Sequence, residues 1–318
     1  MESSTPEKQL SNSDIINLFT KLYGEINNLK SLHADEIKKL REDLEKKDKE
    51  IKELRKDINK LKANISGKSS TTNINHVSAN EDNEQKSLIS NINHKFNIKI
   101  TGNEKNIDLS NDVENNSPNK PNQKLTNEDL ASICKIKFHR IHQLYLGSNK
   151  ISDLKSLCNV KFTQLQKLSL SSNEIVDLSP MENFNFPDLK ELYLYNNYIS
   201  DISVLSKVNF PELEKLSLFS NEIEDIDVLE YANFKKLTLL RLDNNKISDI
   251  SVFIRAQFKN MEKLSLFNNN ISDISALEEI EAGKLKEIWL NGNHIDLVIS
   301  RNEEIYNAVR DKGIKIII

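Results

Sequence analysis

Apolar positions divide the chain into three stretches with different periods. From about residue 14 to 65 they fall at Ile15, Leu18, Leu22, Ile26, Leu29, Ile37, Leu40, Leu44, Ile51, Leu54, Ile58 and Leu61, the spacing of one face of a long helix. The early spacing is an 11-residue repeat, and from Ile37 it settles into heptads. The a series is then Ile37, Leu44, Ile51 and Ile58, and the d series Leu40, Lys47, Leu54 and Leu61. β-Branched residues at a with Leu at d favour a parallel pair. The g positions are Glu36, Asp43, Glu50 and Asp57, and the e positions Arg41, Asp48, Arg55 and Lys62. Parallel pairing makes Glu36–Arg41, Glu50–Arg55 and Asp57–Lys62 attractive and opposes only Asp43 to Asp48, whereas an antiparallel pair sets acid on acid. Residues 14–66 are therefore expected to form a parallel coiled-coil homodimer, preceded by a disordered 1–13. Pairing with a different chain and a solvated single helix are the alternatives, the latter weakened because so polar a helix is marginal alone.

The second stretch, 67–125, is rich in Asn, Ser and Lys, with few and scattered apolar residues. It reads as a disordered linker, since so little burial does not offset the entropy of ordering. Within it, "HKFNIKITG" from His94 alternates like a short strand.

In the third stretch, 126–318, the period becomes 24. Asn149, Asn173, Asn197, Asn221, Asn245, Asn269 and Asn293 are evenly spaced, each preceded by an apolar-x-apolar triplet such as Leu144/Leu146 or Leu192/Leu194 and followed two residues later by Ile. Phe162, Phe186, Phe210, Phe234 and Phe258 keep the same step. A triplet with period two sends its apolar side chains one way and the middle residue the other. One turn of coil leaves an apolar edge, which stacking covers. An Asn column turns the chain inside that core, because its amide both donates and accepts. Ser179, Ser203, Asp227, Ser251 and Ser275 stand where short return helices begin and are expected as N-caps, with capping boxes Ser179/Glu182, Asp227/Glu230 and Ser275/Glu278. The Asp column at 153, 177, 201, 225, 249 and 273 reads as turn residues bonding local N–H groups rather than as a metal ladder. Residues 126–140 form a half repeat at one end, and "RNEEIYNAVRDKG" with "IKIII" a helix and last strand at the other.

The frame L-x-x-L-x-L-x-x-N-x-I, met seven times in succession, resembles that of leucine-rich repeat proteins. The I-S-D-I-S wording is similar to phosphatase-regulatory and internalin-type repeats, and the Phe slot to the 24-residue class. The resemblance implies an α/β solenoid: a leucine-rich repeat arc with short parallel strands inside and short helices outside, following the coiled-coil helix and the linker.

Alternate turns differ. Ser169, Ser217 and Ser265 occupy the middle of the triplet on one set, and Tyr145, Tyr193, Arg241 and Trp289 on the other. These positions face away from the core, onto the inner, concave face, with Tyr195, Phe219 and Phe267 beside them. Core packing does not call for such groups there, and aromatic residues with Arg are the composition of a binding hot spot. A protein partner is therefore expected on Tyr145, Tyr193, Tyr195, Phe219, Arg241, Phe267 and Trp289, with the Asn ladder as structure. The chain is read as an interaction scaffold or adaptor. A regulatory subunit of an enzyme such as a phosphatase, and a structural or cytoskeletal element, are the alternatives.

Composition narrows the function classes. The formal net charge is −4, and Lys167, Lys215 and Lys263 alternate with Glu191 and Glu287, so no basic stripe for nucleic acid forms. No apolar run reaches the length of a membrane span, and the start lacks a signal peptide. With Cys134 and Cys158 as the only cysteines, free thiols and a cytoplasmic setting are expected, although their 24-residue separation permits a disulfide. His139 and His142 lack a cysteine or carboxylate cluster at metal spacing, and no catalytic motif is present, so neither an enzyme nor a cofactor is expected.

Overall fold

A computed structural model describes residues 71–111, 121–138, 140–256, 258–280 and 283–318, with isolated positions between 21 and 56. The expected disordered 1–13 and the apolar seam of the 14–66 coiled coil lie outside the described residues. The chain divides into two compact units, Met1–Ser78 and Ala79–Ile318, and the second carries the whole sheet.

Nine three-residue strands lie parallel in chain order. They are β1 (Asn106–Asp108), β2 (Gln143–Tyr145), β3 (Lys167–Ser169), β4 (Glu191–Tyr193), β5 (Lys215–Ser217), β6 (Leu239–Arg241), β7 (Lys263–Ser265), β8 (Glu287–Trp289) and β9 (Lys315–Ile317). Their register stacks Ile107, Leu144, Leu168, Leu192, Leu216, Leu240, Leu264, Ile288 and Ile316 in one buried column. The second apolar residue of each triplet, from Leu146 to Leu290, builds a parallel column with no exposed surface. Phe162 and Phe186 stack at 6.4 Å behind them, and Phe138 meets Phe162 edge-on at 6.0 Å. The fold is an α/β solenoid built by this alternation of inward and outward side chains.

The Asn column closes each turn. Asn197 accepts the Ile175 N–H at 3.0 Å and donates to the Leu194 carbonyl at 2.9 Å and the Leu170 carbonyl of the preceding turn at 3.1 Å. Asn173, Asn221, Asn245, Asn269 and Asn293 repeat this pattern. One residue before each, the backbone is left-handed: Ser148, Ser172, Asn196, Ser220, Asn244 and Asn268 have φ between 50° and 56°. The side chains along this column bond from turn to turn, Asn196 to Ser172 at 3.3 Å and Asn268 to Asn244 at 2.9 Å, and Gly292 takes the same place in the last turn.

The return segments are mostly single 3₁₀ turns, at Lys155–Asn159, Ser179–Asn183, Ser203–Ser206, Asp227–Glu230 and Ser251–Ile254, with one α-turn, α3 (Ala276–Glu279). This corrects the expected N-caps: Ser179, Ser203, Asp227, Ser251 and Ser275 make no side-chain cap, and their capping boxes do not form. The Asp two residues earlier takes that role. Asp177 accepts the Ser179 N–H at 2.7 Å, and Asp201, Asp225, Asp249 and Asp273 do the same for Ser203, Asp227, Ser251 and Ser275. A turn this short frees few N–H groups, and the Asp reaches the first of them before the helix starts.

Residues 71–111 correct the expected linker. α1 (Thr71–Phe96) buries Ile92 and Phe96. The Asn93 amide then pairs with both backbone groups of Ile100, at 2.8 and 2.9 Å, turning the chain back so that Ile98 and Ile100 are buried too. The alternating "HKFNIKITG" is therefore helix end and extended chain rather than strand. The true strand is β1, and its Ile107 with the following Leu109 fills the apolar slots of the first turn. Asn149 donates to the Leu109 carbonyl and accepts the Leu125 N–H, so the half repeat borrows its strand from upstream. Sixteen positions separate Leu109 from Leu125 where five separate Leu146 from Ile151, which hides the period. α2 (Asn127–Cys134) completes that turn, held by a Thr126/Asp129 capping box with Lys95 on the Asp129 carboxylate. At the other end α4 (Ser300–Asp311) covers the core with Ile305 and Val309, and β9 follows.

Candidate functional site

The outward positions of β2–β8, with the residue following each triplet, form one surface. Register places Tyr145 beside Ser169, then Tyr193, Ser217, Arg241, Ser265 and Trp289. The three Ser side chains are buried between larger neighbours. Tyr145, Tyr193, Tyr195, Phe219, Arg241 and Phe267 are half-buried, and Trp289 is 40% exposed.

At the β2–β5 end a cation sits between two rings. Lys167 Nζ lies 5.4 Å from the Tyr145 ring and 5.1 Å from the Tyr193 ring, and pairs with Glu191 at 3.0 Å. Glu191 also takes Lys215 Nζ at 2.8 Å and the Tyr193 hydroxyl at 2.8 Å. Burial alone raises a carboxyl, but the bonds from Lys215, Lys167 and Tyr193 outweigh it and bring Glu191 down to about 2. Burial, then the bond to Glu191, pushes the Tyr193 phenol up to about 12. Burial works against the Lys167 charge, yet the Glu191 bond holds its pKa above the ordinary lysine range. The group is closed upon itself: Glu191 holds the Tyr193 hydroxyl and Lys167 lies over both rings, while the Tyr145 hydroxyl donates to Gln143 Oε1 at 3.0 Å.

The middle of the surface is a stack. Tyr193 meets Tyr195 edge-on at 6.4 Å, Tyr195 lies flat on Phe219 at 4.3 Å, and the Arg241 guanidinium covers Phe219 at 4.3 Å. Arg241 Nε donates to Asp243 Oδ2 at 2.8 Å, and the Ser265 hydroxyl donates to the other Asp243 oxygen. Asp243 has no exposed surface. A buried carboxylate with two donors thus holds Arg241 over the ring. Towards β8, Lys263 pairs with Glu287 at 3.2 Å, while Phe267 is half-buried and Trp289 exposed.

The structure thus brings Tyr193, Tyr195, Phe219 and Arg241 into one contiguous stack, with Tyr145 joined through Lys167 and Phe267 and Trp289 lying beyond Asp243. Sequence reasoning missed Lys167, Glu191 and Asp243 as organisers. Asp243 carried a signal: its slot holds Gly147, Ser171, Tyr195, Phe219, Phe267 and Asn291 elsewhere, and it stands two residues after the one Arg in the column. Cys134 and Cys158 are free thiols, and burial raises the Cys134 thiol to about 12. Among the described residues no helix is long and apolar enough to cross a membrane.

Residues 163–207 and 211–255 match the family of leucine-rich repeats in its two-copy form. No curated protein matches the sequence. Among solved structures the chain is similar to an internalin, InlF, of Listeria monocytogenes, at 26% identity over 59% of this chain and 49% of that one, with a TM-score of 0.47. This chain therefore spans about half of that internalin. It is also similar to internalin C2 of the same organism, at 27% identity over 60% and 79% with a TM-score of 0.40. A leucine-rich repeat protein of Leptospira interrogans aligns at 19% identity over 67% and 60%, with a TM-score of 0.42.

Proposed function

We propose that this leucine-rich repeat array is a protein-binding module that takes its partner on the strand-lined face, within a cytoplasmic adaptor dimerised through residues 14–66. The supporting observation is the row running from Tyr193 through Tyr195 and Phe219 to Arg241. Its rings are half-exposed, and Lys167, Glu191 and Asp243 hold its ends in place. Rigid aromatic groups and Arg lose little freedom when a partner covers them, which is why such residues dominate interface energetics. A stability role alone does not account for the arrangement, because the apolar columns already close the core on the other side of each strand. Dimerisation brings two faces together and raises apparent affinity for a repeated target through effective concentration.

The test is capture of binding proteins by the full chain and by its Tyr193→Ala/Trp289→Ala variant, with circular dichroism to confirm that both are folded. Partners held by the wild type are expected to be lost from the variant. Retention of the same partners at the same strength overturns the assignment of the face.

A further inference from the structure

We propose that Asn291 is a site of spontaneous modification, converted through a cyclic imide with Gly292 to aspartate and isoaspartate, and that this conversion loosens the last turn of the array. The inference goes beyond the protein-binding reading and stands whatever the strand-lined face binds.

An asparagine amide is attacked by the backbone nitrogen of the residue that follows it. A side chain on that residue crowds the approach, and burial holds its nitrogen inside the fold. Exposed asparagines elsewhere in the array meet both obstacles: Asn159, Asn185 and Asn209 precede Val160, Phe186 and Phe210, all buried in the core. Asn291 meets neither. Of the seven glycines in the chain only Gly292 follows an Asn. Both residues are exposed, and among the described residues the Asn291 side-chain amide has no hydrogen-bond partner. Gly292 has no Cβ, and its φ of 75° is a region glycine enters freely. Closing the ring turns the peptide between them, which gives up the bond from the Asn268 N–H to the Asn291 carbonyl at 2.9 Å. A single neutral bond contributes little net, so a turn held this way opens often. Asn293, two residues on, is the opposite case. Its amide accepts the Ile271 N–H at 3.0 Å and donates to the Leu266 and Leu290 carbonyls at 2.8 and 2.7 Å.

The reaction balances with water as the one added reagent. The Gly292 nitrogen gives its proton to base in solution and bonds to Asn291 Cγ. The Cγ–Nδ2 bond breaks, and Nδ2 leaves as ammonia. Water then adds to one carbonyl of the cyclic imide. Opening at Cγ gives an aspartate, and opening at the backbone carbonyl gives an isoaspartate, whose chain runs through Cβ. Either product adds a negative charge in the slot that Phe267 fills one turn earlier, two residues from Trp289. The isoaspartate also lengthens the backbone by one methylene just before the left-handed residue. That displaces the carbonyl that takes the Asn268 N–H and slackens the chain into Asn293, the last rung of the ladder.

The full chain is held in mildly alkaline buffer, sampled over days, cut with trypsin and read by mass spectrometry. Cleavage after Lys286 and Arg301 puts Asn291 and Asn293 on one peptide, so every sample carries its own control. Conversion is expected at Asn291 at about ten-fold or more the rate at Asn293, which reacts only when its three bonds open. Isoaspartate in the peptide is confirmed by labelling with an isoaspartyl methyltransferase. A parallel sample in urea separates the fold from the dipeptide: the folded chain is expected to react within about ten-fold of the unfolded one. Conversion confined to the unfolded chain, or equal rates at Asn291 and Asn293 in the folded one, overturns the inference. Gly292→Ala is compared in urea, where its effect on stability plays no part, and is expected to slow conversion by about ten-fold because a Cβ stands beside the attacking nitrogen. An unchanged rate there removes the cyclic imide. In converted protein the Ile271 N–H is expected to exchange faster than in fresh protein, and equal protection overturns the loosening of the last turn.

Discussion

Asp243 lies beneath Arg241, its Oδ2 accepting from Nε at 2.8 Å while its side chain has no contact with solvent. Removing the carboxylate frees Arg241 from above Phe219 and strands the Ser265 hydroxyl. Asp243→Ala is expected to lower stability by about 1–3 kcal/mol, the lower range because Arg241 itself is partly exposed. In a unit of this size that corresponds to a melting point lower by roughly 3–10 °C. Arg241→Met/Asp243→Leu is expected to recover part of the loss. A melting curve unchanged in Asp243→Ala would show that the pair holds nothing in place.

Acid should act on the face through Glu191. Its carboxyl is depressed to about 2 from an ordinary 4.5, so the folded state binds this proton less readily than the unfolded chain does. The stability it contributes is therefore complete above pH ~4.5 and is lost as pH falls towards ~2. Glu191→Gln is expected to be less stable than the wild type at pH 7 and to approach it near pH 2, with a shallower slope between. Urea titrations across that range give the comparison, and parallel curves for the two proteins would refute the assignment.

Each rung of the Asn ladder joins two turns, so a break should be felt on both. Asn197→Ala leaves the Ile175 N–H without its partner inside the core and takes from the Leu170 carbonyl one of its two donors, Asn173 being the other, at a cost of about 1–3 kcal/mol. Asn197→Asp keeps an acceptor for Ile175 but loses both donors and buries a charge, and is expected to be worse than Ala at neutral pH. Hydrogen exchange should show Ile175 losing protection first. Equal protection in wild type and Asn197→Ala would mean that water replaces the amide without loss.

Residues 14–66 carry their own test. In the full chain, sedimentation equilibrium is expected to give twice the 36.6 kDa monomer mass, and Leu54→Asp, at a d position of the seam, to give the monomer. A monomeric wild type at high micromolar concentration removes the effective-concentration argument.

How far the sequence revealed this molecule depends on what each period encoded. The solenoid was legible because Leu, Asn and Phe answer to one repeated environment, and each strand meets the same neighbours as the last. The first turn was illegible for the converse reason. Ile107 and Leu109 belong to the frame, but the long excursion to Leu125 breaks the step of 24. Ile92, Phe96, Ile98 and Ile100 bury against a surface that exists only once the array has folded. The Ser caps were misjudged because an N-cap is defined by a helix, and a 3₁₀ turn of four residues leaves that bond to the Asp before it. On the face, Tyr145, Tyr193, Arg241 and Trp289 stood out by size alone. Their organisers are ordinary charges whose role depends on neighbours in the next turn, 24 residues away for Lys167 with Glu191 and 22 for Asp243 with Ser265.

Gly292 offers the sharpest test of the left-handed column. Its φ is 75°, and a Cβ there would lie 2.0 Å from Asn268 Oδ1, an atom that accepts nothing from the ladder but whose amide donates to Asn244 at 2.9 Å. Gly292→Ala therefore combines a left-handed alanine with the displacement of Asn268, for a loss of about 1–2 kcal/mol. The two parts are separable. In an Asn268→Ala background the clash disappears while the backbone term stays, so Gly292→Ala should cost less there than in the wild type. Urea midpoints of the four proteins in this cycle give the difference directly. An equal cost in both backgrounds would place the whole effect in the backbone, and no cost in either would show that the last turn does not need the conformation its six predecessors share.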